Sequence, residues 1–162
     1  MRSLNFLRLR LPSAALLLLA AALNSRAQSS GVLTVAEPAK LSVKRAAMAE
    51  AKLSLTLREG YHLNSNEPSD KYLIPLKLTW EDTLLKTEKV EFPKPLLQKF
   101  EFSETPLSVY EGVFEIRTIF QAPPKAAPGP AIVTGKLRYQ ACSNTACLPP
   151  KTVEVRLPVV VQ

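Results

Sequence analysis

The sequence has few of the side chains that bind metals: one histidine, two cysteines and two methionines among 162 residues. A single imidazole cannot form a multi-histidine zinc or copper site, and two methionines, one of them the initiator, exclude a methionine-rich copper site. The five glycines form neither a phosphate-binding loop nor a Gly-x-Ser-x-Gly elbow. Since there is also no flavin or nicotinamide motif, we expect no metal and no cofactor.

Part of the positive charge of this sequence lies in its first 27 residues. The formal net charge is +7, from 21 basic and 14 acidic residues. Four arginines lie in residues 1–27, where three precede an apolar run at 11–23 and one lies among the small residues 25–27. This order is typical of a secretory signal peptide, and the run is short for a membrane span. We therefore predict a signal peptide at 1–27, a mature domain at 28–162, and a periplasmic or otherwise exported location.

Without the predicted signal peptide the chain keeps 17 basic against 14 acidic residues, a net charge of +3. Lysine and arginine alternate with glutamate along the rest of the sequence, as on a solvated surface. This dispersed charge argues against a nucleic-acid partner, because such binding depends on clustered positive charge. No second apolar run is long enough to cross a bilayer, so we expect a mature domain that does not span the membrane.

The rest of the sequence has the pattern of short β-strands. Apolar and polar residues alternate in five clear runs, which is typical of half-buried strands; the runs lie near residues 53–57, 74–80, 114–120, 133–139 and 153–157. Weaker strand candidates lie at 31–35, 40–45 and 86–92. About eight strands separated by proline-marked turns predict an all-β sandwich.

Three local features refine this prediction. Pro75 cannot donate a ladder hydrogen bond, so its strand should lie at a sheet edge or begin pairing after the proline. Residues 44–52 favour a helix by composition, but they carry no apolar stripe of helical period, so we predict no helix there. The proline-rich stretch 123–130 is interpreted as a long hairpin connection.

Cys142 and Cys147 are the chemically distinctive residues. An extended chain would hold their Cα atoms roughly 17 Å apart, whereas a disulfide requires about 7 Å or less. The four residues between them, Ser-Asn-Thr-Ala, suit a turn that brings the pair together. In an exported protein such a pair should be able to oxidise.

The residues alone leave two roles open for this pair. A structural disulfide is the default in an exported domain, yet closing so short a loop stabilises the fold by only about 2 kcal/mol. A short pair on an exposed turn is also what reversible exchange requires, because a partner thiolate must reach a sulfur in line. His62 is most simply a polar residue at a strand end; if it lay near the pair, it could assist thiolate formation.

Three stretches resemble the N-terminal periplasmic domain of the thiol:disulfide interchange protein DsbD. The most specific is Tyr-Gln-x-Cys followed by Cys-x-Pro-Pro, and two others support it in the family's order; they lie at 139–150, at 60–66 leading to 72–75, and at 107–112. Together they span most of the chain from about residue 41 to 160. The resemblance implies an immunoglobulin-like β-sandwich with the cysteine pair on a hairpin.

The resemblance also implies a function. In that family the domain receives electrons from a thioredoxin-like domain fed by a membrane-embedded domain. It passes them to oxidised periplasmic proteins such as disulfide isomerases and cytochrome c maturation thioredoxins. An active protein would therefore be a protein-disulfide reductase, with Cys147 forming mixed disulfides with partners and Cys142 resolving them.

A cap loop shields the cysteines in the family, and its counterpart here is predicted at residues 100–103. We assign shielding or partner binding to Phe102 first, then to Phe100. Tyr110 and His62, which lie in the two supporting stretches, are assigned to the same role. The two phenylalanines also lie in a polar, proline-flanked stretch, where an aromatic pair has no obvious strand to serve. The alternative is that one of them simply closes the end of the sandwich.

The sequence departs from the family in two ways. Well-known members have one more residue between the cysteines and an aromatic residue after the second, where this chain has Leu148. The chain also ends at Gln162 without membrane helices or a thioredoxin-like Cys-x-x-Cys domain. We therefore expect a stand-alone version, with thioredoxin-like periplasmic proteins as partners and a separate membrane thiol reductase as electron source. The alternative is a non-catalytic immunoglobulin-like interaction module with a structural disulfide.

Overall fold

The structure is a computed structural model that describes residues 28–29 and 31–162. The signal peptide predicted at 1–27 lies outside the described residues. The described part of the chain is all-β, and it contains no helix with the length and apolar character needed to span a membrane.

Thirteen strands make up the described fold. In chain order they are β1 (Gln28–Ser29), β2 (Leu33–Val35), β3 (Leu41–Val43), β4 (Met48–Leu57), β5 (His62–Asn64), β6 (Lys77–Trp80), β7 (Lys86–Glu91), β8 (Leu96–Gln98), β9 (Leu107–Glu111), β10 (Val113–Gln121), β11 (Gly129–Tyr139), β12 (Ala141–Cys142) and β13 (Lys151–Val161).

The strands form three sheets. Sheet A has the order β1-β2-β4-β10-β7, sheet B the order β3-β13-β11-β6, and sheet C the order β12-β5-β9-β8. The long antiparallel pairs β4–β10 and β11–β13 are the centres of sheets A and B. Neighbouring strands run antiparallel except β3 and β13, which are parallel.

Sheets A and B pack face to face as a β-sandwich. Leu55 and Ile116 from sheet A share one core cluster with Leu137 and Val155 from sheet B. A second cluster joins Phe120 from sheet A to residues of sheet B in the same way. Because the polar residues alternate outward along these strands, the buried apolar rows form the filling between the two layers.

Sheet C adjoins the sandwich and carries the cysteines. Leu63 of β5 and Tyr110 of β9 belong to the main core cluster. Phe100, Leu107 and Val109 form a smaller cluster of their own, against which Leu73 packs. Strand β12 follows β11 after a single residue, Gln140, so the end of sheet B leads directly into the cysteine segment.

Most local predictions are confirmed. Each of the five clear alternating runs overlaps a strand, and the three weaker candidates contain β2, β3 and β7. Strand β6 begins two residues after Pro75 and lies at the edge of sheet B, as expected for a residue without an N–H donor. Residues 44–52 form a turn and the start of β4, not a helix.

Two predictions are wrong. The stretch 123–130 is not a hairpin connection, because β10 and β11 on its two sides belong to different sheets and the chain crosses between the layers there. The strand number was also underestimated, chiefly by the omission of sheet C. Strands β5 and β9 are short and bury the polar residues His62, Asn64 and Ser108 as well as their apolar ones, so their burial does not follow the polar-apolar alternation of a half-buried strand.

Candidate functional site

Cys142 and Cys147 form a disulfide, with their Cα atoms 3.9 Å apart. The two residues face each other as an antiparallel bridge at the base of a tight turn. The chain therefore doubles back between them, as the spacing required. We call residues 141–148 the cysteine hairpin.

Backbone hydrogen bonds hold the cysteine hairpin on both sides of the disulfide. The N–H of Leu148 donates to the carbonyl of Ala141, and the N–H of Ser143 donates to the carbonyl of Ala146, both at 2.8 Å. The cysteines thus occupy the non-hydrogen-bonded position between these contacts, where facing Cα atoms approach most closely, at about 4.5 Å. This explains how a disulfide fits across neighbouring strands.

The Ser143 side chain fixes the turn. Its hydroxyl oxygen accepts the N–H of Thr145 at 3.3 Å and the N–H of Ala146 at 3.2 Å. On the other side of the hairpin, the Gln140 side-chain amide donates to the carbonyl of Leu148 at 3.1 Å. Ser143 is one of the four residues predicted to form this turn, and its side chain makes the hydrogen bonds that stabilise it.

The two cysteines differ in exposure. Cys142 is only 1% exposed, whereas Cys147 lies among the exposed residues of the turn. Thiol–disulfide exchange requires in-line access to the sulfur that is attacked. A partner protein approaching from solvent therefore reaches Cys147 and not Cys142.

The cap loop lies against the exposed cysteine. Phe102 lines a surface pocket of about 240 Å³ together with Cys147, Ser143, Thr145 and Ala146. The Phe102 side chain is 55% exposed, so it lies beside the hairpin at the protein surface. The structure thus brings together residues from two segments that the sequence separates by more than 40 positions.

Lys99 closes the cap loop on itself. Its ammonium group donates to the carbonyls of Ser103 and Glu104, both at 2.6 Å. The N–H of Ser103 in turn donates to the carbonyl of Phe100 at 3.2 Å. The sequence gives no signal for Lys99, because its partners are backbone carbonyls that any residue would supply.

A row of stacked rings runs inward from the cap. Phe102 stacks on Phe100, with ring centroids 5.2 Å apart, and Phe100 stacks on His62 at 4.2 Å. Phe100 and His62 are both buried. Phe102 is therefore the outer member of the row, while Phe100 connects the cap loop to sheet C.

His62 lies beside the buried cysteine. In the β5–β12 register it is the direct partner of Cys142. Burial lowers the pKa of its imidazole, because desolvation disfavours the charged form. His62 is thus at a strand end, as predicted, being the first residue of β5, and the register also places it next to the pair.

Tyr110 is located elsewhere. It lies on β9, two strands from β12, and belongs to the main core cluster. Its hydroxyl can donate to Asn66 Oδ1 at 2.6 Å or to the carbonyl of Pro93 at 3.0 Å, and its ring stacks on Phe114 at 4.8 Å. Burial raises the pKa of Tyr110 to about 12. The structure therefore places Tyr110 in the core rather than in the cap.

Comparison with known families decides the classification. The profile of the family described as thiol:disulfide interchange protein DsbD, N-terminal, matches residues 29–158. The chain belongs to this family. The resemblance is therefore confirmed. The predicted fold class is confirmed as well, because the described residues form an all-β sandwich and DsbD N-terminal domains are immunoglobulin-like β-sandwiches.

Two solved N-terminal domains are similar to this chain. The N-terminal periplasmic domain of ScsB from Proteus mirabilis is 12% identical with a TM-score of 0.58, and the match covers 78% of this chain and 46% of that one. This chain thus spans less than half the length of the ScsB structure. The reduced N-terminal domain of DsbD from Neisseria meningitidis is 19% identical with a TM-score of 0.46, over 70% and 79% of the two chains. No curated protein matches the chain by sequence.

Proposed function

We propose that this DsbD-family domain performs thiol–disulfide exchange in the periplasm, carrying electrons through Cys142 and Cys147 from a membrane thiol reductant to oxidised periplasmic proteins. The observation that supports this most directly is the asymmetry of the pair. An exposed Cys147 on a turn is joined to a Cys142 that is buried behind it. This arrangement provides one sulfur for the partner and one that stays within the domain.

The forward reaction uses the reduced pair. The Cys147 thiolate attacks one sulfur of the partner's disulfide, a Cys147–partner bond forms, and the partner's other sulfur leaves as a thiolate that takes up a proton. The Cys142 thiol then loses its proton and attacks the sulfur of Cys147. The intramolecular disulfide forms, the mixed disulfide breaks, and the partner leaves with two electrons and its second thiol.

Re-reduction follows the same steps in reverse. A thioredoxin-like thiol pair on a separate membrane thiol reductase would attack Cys147 and leave with the oxidised disulfide. The acceptors would be thioredoxin-like periplasmic proteins, such as disulfide isomerases and cytochrome c maturation thioredoxins. The signal peptide predicted at 1–27 would deliver the domain to this compartment.

The cap loop would limit wasteful exchange. A sulfur open to every small thiol or oxidant would lose electrons in an oxidising compartment. Phe102 lies beside Cys147 on the solvent side, so its ring would shield that sulfur until a partner protein displaces it. Phe100 would hold the cap loop in place through its buried stacking on His62.

A redox titration tests the proposal. We expect the Cys142–Cys147 couple to have a reduction potential above about −300 mV, the value below which structural disulfides typically lie. A potential well below that value, together with no reduction of a thioredoxin-like disulfide by the reduced protein, would favour the non-catalytic interaction module instead.

A further inference from the structure

One buried polar atom next to the site has no partner. Among the described residues, His62 Nε2 is fully buried and makes no hydrogen bond. Buried polar side-chain atoms almost always have a partner, so each exception in a folded protein requires an explanation. The exchange reaction as proposed above does not use this atom.

The register of sheet C places His62 in a row with the two cysteines. Cys147 faces Cys142, Cys142 faces His62, and His62 faces Glu111 across consecutive strands. Direct cross-strand partners lie on the same face of a sheet, with Cβ atoms about 4.5–5.5 Å apart. The imidazole therefore lies beside the Cys142 side chain, and Phe100 covers it at a centroid distance of 4.2 Å.

The oxidised form explains why the nitrogen lacks a partner. A disulfide sulfur has no hydrogen to donate, whereas a thiol is a donor, and a neutral imidazole has one ring nitrogen that accepts. The environment of His62 also disfavours its charged form, since burial lowers its pKa. A neutral ring beside Cys142 thus gains a donor only when the pair is reduced.

We propose that His62 Nε2 accepts a hydrogen bond from the Cys142 thiol in the reduced protein and takes its proton when Cys142 resolves the mixed disulfide. This inference rests on the proposed function. In the resolving step the Cys142 S–H bond breaks, its proton moves to Nε2, and the sulfur attacks Cys147. The departing partner thiolate then takes up a proton, and His62 returns its own to solvent.

The surroundings of His62 offer a route for that proton. His62 borders a surface pocket of about 380 Å³ that is also lined by Glu111, Arg58 and Glu59. The titratable or charged groups around His62 are therefore Cys142 from β12, Glu111 from β9, and Arg58, Glu59 and Tyr61 at the pocket. From the cap loop, the uncharged ring of Phe100 stacks on the imidazole.

The hydrogen bond also affects the redox equilibrium. An interaction present only in the dithiol form stabilises that form, so it raises the reduction potential of the pair. The net effect of one buried hydrogen bond corresponds to about a two- to tenfold change in the equilibrium constant, and tenfold is about 30 mV for a two-electron couple. His62 would therefore make the pair easier to reduce.

Two substitutions separate the hydrogen bond from the proton transfer. His62→Phe removes both and can still stack on Phe100, whereas His62→Gln retains an acceptor for the thiol but does not accept a proton at neutral pH. Thr118→Val is the matched control, because Thr118 is a buried polar residue of sheet A whose hydroxyl accepts from Trp80 at 3.0 Å. Circular dichroism would establish that each variant is folded.

The experiment mixes the reduced protein with a small aromatic disulfide, 5,5′-dithiobis(2-nitrobenzoate), and follows the coloured thiolate. The first aromatic thiolate is released when Cys147 attacks the reagent. The second is released when Cys142 attacks the mixed disulfide at Cys147. We expect the first phase to be unchanged in both variants and the second to slow at least about tenfold. The potential should fall in His62→Phe and stay near wild type in His62→Gln, while Thr118→Val changes neither quantity.

The inference would be overturned if a folded His62→Phe protein had the same second-phase rate and the same reduction potential as the unsubstituted protein. Failure of the proposed function gives a different result, because the unsubstituted protein would then show a structural-type potential and no exchange with thioredoxin-like disulfides. The pH dependence of the second phase adds a further check. The second-phase rate of the unsubstituted protein should reach its plateau at a lower pH than the rate of His62→Phe.

Discussion

Phe102 lies in the same surface pocket as Cys147, although 45 positions separate them in the sequence. Their proximity depends on the cap loop, which Lys99 closes through two backbone carbonyls. The exposed cysteine thus lies beside a ring that belongs to a separately fixed loop. This relationship makes the shielding role of the cap directly testable.

Phe102→Ala should speed the reaction of Cys147 with a small thiol such as glutathione by several-fold, because access to the sulfur limits exchange. The unfolding free energy should change by no more than about 0.5 kcal/mol, since the side chain is largely exposed. Leu97→Ala is the matched control, an exposed apolar residue of sheet C that should leave the rate unchanged. Equal rates in wild type and Phe102→Ala would remove Phe102 from the site.

Cys142→Ser should trap a mixed disulfide between Cys147 and a thioredoxin-like periplasmic partner, because the resolving thiol is absent. Cys147→Ser should trap little, since the remaining cysteine is buried. Non-reducing electrophoresis followed by mass spectrometry would identify the linked cysteine. Trapping through Cys142 alone, or in neither variant, would contradict the assigned roles.

Reduction of the disulfide should destabilise the fold by only about 2 kcal/mol, because the closed loop is short. The hairpin also keeps its backbone hydrogen bonds on both sides of the pair. Urea denaturation of the oxidised and reduced proteins would measure the difference. Unfolding on reduction would show that the disulfide is a structural requirement, and it would argue against a carrier that must be folded in both states.

Tyr110 should make stability depend on pH in the alkaline range. Its pKa is raised from 10 to about 12 by burial, so the folded state holds the proton more tightly than the unfolded state. The resulting stabilisation is complete below pH 10 and is lost as the pH rises towards 12. In Tyr110→Phe this contribution to the pH dependence should disappear, and the unfolding free energy at neutral pH should fall by about 1 kcal/mol. Denaturation at several pH values would measure both effects.

The electron source can be tested in cells. A domain with one cysteine pair turns over only if another protein reduces it again. Cys142 and Cys147 should therefore be partly reduced in cells that contain a membrane thiol reductase, and oxidised in cells that lack one. Alkylation of free thiols after acid quenching would report the ratio. Full oxidation in both strains would favour the structural-disulfide module.

Local regularities in the sequence were enough to predict much of the sandwich. The alternation at 53–57 and 153–157 indicates which side chains face the core, because successive residues of a strand point to opposite faces. Pro75 marks where pairing on one edge can begin, since it lacks a donor. Sheet C could not be found this way, because β5 and β9 bury polar residues as well as apolar ones and β8 exposes its two leucines, so burial in this sheet does not follow the polar-apolar pattern.

The sequence by itself determined the all-β class, the need for a turn between Cys142 and Cys147, and the resemblance that points to exchange chemistry. These properties follow from local patterns that neighbouring residues carry. Only the tertiary structure decided that Cys142 is buried, that Cys147 lies beside Phe102, and that His62 faces Cys142. Each of these depends on which distant strands and loops pack together, and pairing between distant segments leaves no periodic signal in the residues that make it.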